Sequence, residues 1–116
     1  MKILQRRWKR NKASSKYKSV ILSQAQEDIN KTLDYVKNTL LNPTASKNLL
    51  DDIIRAVEDI TIFPYSLSTI KNTEYRYKVV NNFLLVYKVL EELKEVRIMA
   101  FLYAKSDVLT NLIKRL

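Results

Sequence analysis

The stretch 74–103, EYRYKVVNNFLLVYKVLEELKEVRIMAFLY, constrains this chain more than any other. It holds neither glycine nor proline and reads as three consecutive strands joined by two short connections. In the first run, Glu74 to Asn81, a period of two puts Arg76 and Lys78 on one face and Tyr75, Tyr77 and Val79 on the other. Asn81-Asn82 reads as a tight hairpin turn, because asparagine tolerates the positive φ such turns require. The second run, Phe83 to Leu90, is almost wholly apolar, as a central strand covered on both faces must be. A charged connection, Glu91 to Glu95, leads to the third run, Val96 to Tyr103. A mostly buried sheet whose first strand carries Arg and Lys is a platform for phosphates.

The preceding half reads differently. Lys16–Leu22 alternates as a first strand. Ser23, with Gln26 three residues on, has the form of a capping box, and Glu27 and Asp28 suit the positive end of a helix. Ala25, Ile29, Leu33, Val36 and Leu40 form one apolar stripe on a helix ending near Leu41. Asn42-Pro43 starts a second helix, with Asn42 as cap and Pro43 in its first turn. That helix buries Ala45, Leu49, Ile53, Val57 and Ile60 and stops at Phe63-Pro64. Ser106-Asp107 caps a short terminal helix, Val108–Leu116. The order is β-α-α-β-β-β-α, an α+β fold in which two amphipathic helices pack on a small four-stranded antiparallel-type sheet.

Composition narrows the chemistry. Among 116 residues there is no histidine, cysteine or glycine. These absences remove the commonest general base and metal ligand, all thiol chemistry, and the glycine-rich phosphate loops. No cofactor and no metal are expected. No apolar run approaches the ~20 residues of a membrane span, and the basic start lacks the apolar core of a secretory signal. A cytoplasmic protein is the expectation. The formal charge is +9, most of it placed early, for residues 1–16 hold seven cations and no acid. Residues 1–15 read as a flexible basic extension, and 16–116 as one domain. Charge permits nucleic-acid binding without requiring it.

The candidate site follows from this. Arg76 and Lys78 share a strand face, and Lys105 lies just past the third strand. Three cations at one sheet end can hold a phosphate and stabilise charge developing on it. Tyr103, closing the third strand, is the tyrosine expected to be exposed, where it can stack on a base or donate a proton. Tyr75, Tyr77 and Tyr87 are expected to pack within the sheet. The acid pairs Asp51-Asp52 and Glu91-Glu92 are expected at the solvated surface. Arg76, as an exposed strand residue, is expected to contribute little to stability.

The order and spacing of VILSQAQEDI, LLNPTASKNLLDDIIRAVEDITIFP, EYRYKVVNNFLLVYKV and VRIMAFLYAKSDVL resemble the RelE/ParE superfamily, the toxins of bacterial type II toxin–antitoxin modules. The resemblance covers Tyr17 to about Leu112. It implies helices packed on a sheet that leaves a concave basic face, and an antitoxin partner whose segment wraps the toxin. Some members cleave mRNA on the ribosome without a metal, as endoribonucleases; others act on DNA gyrase without enzymatic chemistry. Arg76, Lys78, Tyr103 and Lys105 match the nuclease pattern as its catalytic candidates. Leu84 departs from it, standing where nuclease members carry an arginine that an alkyl chain cannot replace. Ribosome-dependent mRNA cleavage is therefore the first expectation. Action on gyrase, or a degenerate member that only binds its antitoxin, is the alternative.

Overall fold

The computed structural model describes residues 16–104. The basic segment 1–15, Lys105 and the helix expected over 108–116 lie outside the described residues. The elements are β1 (Lys18–Ile21), α1 (Ser23–Asp34) continued by a π turn (Tyr35–Thr39), α2 (Pro43–Ile62), β2 (Arg76–Val80), β3 (Phe83–Leu90) and β4 (Glu95–Tyr103). They form one four-stranded sheet, in the order β1-β4-β3-β2. Both helices pack on one side of it, where Ile29, Ile53, Val57 and Ile60 meet Leu85, Tyr87, Val96 and Ile98.

The α+β architecture matches the expectation, with one difference. The sheet is mixed, because β1 runs parallel to β4, from Lys18 opposite Glu95 to Ile21 opposite Ile98. A parallel pair needs a long crossover, and the helical hairpin with the β2–β3 hairpin supplies it. The other ladders are antiparallel. Val80 pairs with Phe83 across the Asn81-Asn82 turn, and Asn81 takes the positive φ (54°) expected there. Between Val86 and Tyr87 the β3–β4 register shifts, leaving Met99 as the extra residue of a bulge. β1 ends opposite Ile98, so the Phe101 amide further along has no strand beside it; it donates to Asp28 of α1 at 3.1 Å.

Helix boundaries correct two details of the sequence reading. Ser23 is the first helical residue of α1, not its cap. The cap is Leu22, whose carbonyl accepts from the Gln26 amide at 2.9 Å, and no side chain caps the start. Asn42 does cap α2, its Oδ1 accepting from the Ala45 amide at 3.0 Å, with Pro43 in the first turn. The apolar stripe of α1 holds through Ala25, Ile29, Leu33 and Val36 and then fails, since Leu40 is 55% exposed. The wider π turn delays the phase by part of a residue, which rotates Leu40 off the core. On α2, Ala45 is only half-buried; Ser46 takes the interior place, its hydroxyl donating to the Leu33 carbonyl at 2.9 Å.

Candidate functional site

The alternation of β2 is as expected, and its orientation decides the site. Arg76 pairs with Tyr87, Lys78 with Leu85 and Val80 with Phe83. Leu85 and Tyr87 belong to the helix-side core, so Arg76 and Lys78 face the helices as well. Tyr75 and Tyr77 face the other way, against Leu84, Val86, Ala100 and Ile70. That second face carries Tyr75, Tyr77, Leu84, Met99 and Leu102 in one band.

Each candidate has a defined setting. Arg76 is half-buried, not exposed. Its Nη1 donates to the Leu67 carbonyl, and its guanidinium lies 5.1 Å from the Tyr65 ring centroid. It thus fastens the loop between α2 and β2. Lys78 places Nζ 4.0 Å from the Asp59 carboxylate of α2, beside a groove of about 220 Å³ shared with Asp52, Arg55 and Asn81. Tyr103 is 49% exposed, as expected, with its ring tilted on Phe83 at 5.6 Å. It lines a groove of about 650 Å³ with Tyr35, Val36, Leu40 and Phe83.

These residues share a sheet side but do not converge. Arg76 sits opposite Tyr87, while Tyr103 sits opposite Phe83, four residues along β3 and two strands across from β2. Strand rise and spacing put their backbones about 16 Å apart. Their side chains are held by different partners, Arg76 by Leu67 and Tyr65, and Tyr103 by Phe83. Lys105 lies outside the described residues. Among those residues no group of three carboxylates could hold a metal, in a chain without histidine or cysteine.

Sequence reasoning missed a polar cluster that adjoins Arg76 through Tyr65. Glu91 is no idle surface acid. Its Oε1 accepts from the Tyr17 hydroxyl at 2.8 Å and the Tyr65 hydroxyl at 2.7 Å, while Oε2 meets Lys94. The two rings contact edge to face at 6.4 Å, and Lys94 lies 5.5 Å from the centroid of Tyr17. Lys94, then the Tyr65 and Tyr17 hydroxyls, hold the Glu91 carboxyl down from 4.5 to about 2. The same bonds push both phenols above their ordinary value. Lys94 is near in sequence, but no local signal marks the cluster, because the tyrosine partners of Glu91 are 74 and 26 residues away. Asp52 likewise reaches across to Asn81, at 3.3 Å, instead of remaining purely solvated.

The family model described as the ParE toxin of the type II toxin-antitoxin system, parDE, matches residues 20–108. The chain belongs to the ParE toxin family. This ParE-family fold is also that of two solved toxin–antitoxin systems. The chromosomal ParDE system of P. aeruginosa superposes with a TM-score of 0.65 at 15% identity, covering 77% of this chain and 97% of that one. The RelBE2 toxin–antitoxin complex of Mycobacterium tuberculosis gives 0.57 at 16% identity, covering 75% and 96%. No curated protein matches the sequence. The ParE-family chain is a type II toxin on the RelE/ParE scaffold. No described helix is long and apolar enough to cross a membrane.

Proposed function

We propose that this toxin is held inactive by a cognate antitoxin and acts on DNA gyrase by binding rather than by cleaving RNA. One observation carries the reading. The sheet face turned from the helices carries half-buried Tyr75, Tyr77, Met99 and Leu102 around buried Leu84, with Val79 exposed on the same face, while Arg76 and Lys78 turn to the helices and engage Leu67, Tyr65 and Asp59. Phosphoryl chemistry needs preorganised cations around one point. An aromatic and aliphatic band instead suits a protein surface, where such side chains anchor binding. The family match and the toxin–antitoxin neighbours support the antitoxin partner.

Ribosome-dependent mRNA cleavage is the second reading, favoured by the exposure of Tyr103 beside an open groove. In it, Tyr103 stacks on a base or transfers a proton, Arg76 and Lys78 supply charge from β2, and Lys105 adds to it. A paired assay separates the two. Supercoiling by purified gyrase and mRNA integrity in a translating extract are followed with the same toxin preparation. The expected result is gyrase arrest with intact mRNA. Cut mRNA with normal supercoiling would overturn the gyrase reading.

A further inference from the structure

At the lower end of the sheet face away from the helices, the apolar band gives way to charge. Lys88 of β3 and Arg97 of β4 stand directly opposite each other. Like charges so placed repel, and the pair persists only where something compensates it. Part of the compensation is internal. Arg97 Nε donates to Glu95 Oε1 at 2.8 Å, and Glu95 is itself buried. Lys88 Nζ is 3.4 Å from Glu74, a carboxylate left largely in solvent. The buried carboxylate grips Arg97 through Nε, leaving both terminal nitrogens uncommitted among the described residues. A guanidinium fixed in this way is a preformed fork for a second carboxylate, which the neighbouring ammonium reinforces.

Resting on the toxin reading above, we infer that the Arg97–Lys88 pair is the receptor for an acidic side chain of the antitoxin segment that covers this face. The surroundings select that occupant. Met99, two residues from Arg97, and Tyr75, beside Lys88 with its ring 5.7 Å from Nζ, are both half-buried. A segment with an apolar side chain next to an Asp or Glu satisfies both parts. A nucleic-acid backbone fits less well, because it needs a track of cations, and here Glu74 and Glu95 offset two of the three present, Glu95 being shared with Lys18 at 4.0 Å.

The test uses the full-length toxin and the protein encoded beside it, co-expressed, with dissociation followed by biolayer interferometry. Arg97→Gln weakens the complex by roughly 30-fold or more, the range for removing one member of a desolvated charge pair. Lys88→Gln weakens it less. Arg97→Glu is restored by reversing one acidic antitoxin residue to Lys, a rescue that general destabilisation does not produce. Lys88→Glu offers the same reversal should the Arg97 variants fail to fold. The inference is overturned if folded Arg97→Gln and Lys88→Gln bind unchanged, or if no acidic residue reverses either charge change. It is also overturned if the variants lose affinity for a 30-base-pair DNA duplex while keeping the antitoxin. If the wild-type chain neither captures the neighbouring protein nor is toxic, the toxin reading itself fails, a distinct result.

Discussion

Tyr17 and Glu91, 74 residues apart in sequence, are joined by a 2.8 Å hydrogen bond between hydroxyl and carboxylate. The bond ties the lead-in to β1 to the turn between β3 and β4, and Tyr65 adds the loop after α2 to the same oxygen. The carboxyl is depressed from 4.5 to about 2, so its contribution is complete above pH 4.5 and disappears as pH falls through about 2. Glu91→Gln should therefore lower the melting temperature at pH 7 and flatten the acid limb of stability between those values. The effect is modest, because the group is solvent-screened. Thermal melts from pH 2 to 7 check it, the two proteins converging at the acid end. In the variant, Tyr17 and Tyr65 should also ionise at lower pH in an ultraviolet titration.

Arg76→Ala should destabilise the fold by about 1–2 kcal/mol, because it removes a charged donor from the Leu67 carbonyl and a cation from the Tyr65 ring. This differs from the behaviour of an exposed strand arginine. Urea denaturation measures the loss. Gyrase inhibition well below the melting temperature should stay within a few-fold of wild type.

Leu41 holds a left-handed backbone (φ 51°) just after the π turn, with 80% of its surface in solvent. The Cβ of a non-glycine residue is strained there, a cost that asparagine's short polar side chain eases by bonding locally, and Leu41 buries little in return. Leu41→Asn should raise stability by about 1 kcal/mol. A lower midpoint in chemical denaturation would show that Leu41 has packing this geometry does not reveal.

Tyr87 is completely buried, and its hydroxyl donates to the Pro64 carbonyl at 3.0 Å, pinning the start of the loop that follows α2. Burial pushes its phenol upward, so the neutral donor persists at all ordinary pH values. Tyr87→Phe should cost about 1–2 kcal/mol by leaving that carbonyl without its partner. A melting temperature within a degree of wild type would mean that water replaces the hydroxyl.

The strands were legible because β2 and β3 alternate or run apolar without glycine, and the α2 start was legible because Asn42-Pro43 can do little else. The α1 stripe was readable only to Val36, since no residue between Asp34 and Leu40 announces a π turn. Arg76 and Lys78 were correctly placed together. Their direction was not, because a period of two tells which residues share a face and never which face the helices will cover. Glu91 stayed hidden for a related reason. Its meaning comes from Tyr17 and Tyr65, and only the tertiary fold brings them to one oxygen.

The parallel seat of β1 on β4 has a temporal consequence. β1 precedes every other described element in the chain, yet its place is a row of amides and carbonyls between Glu95 and Ile98. Until those residues are in place, β1 has no strand to pair with. The sheet therefore closes through a pairing of segments more than 70 residues apart, a non-local contact of the kind that forms slowly.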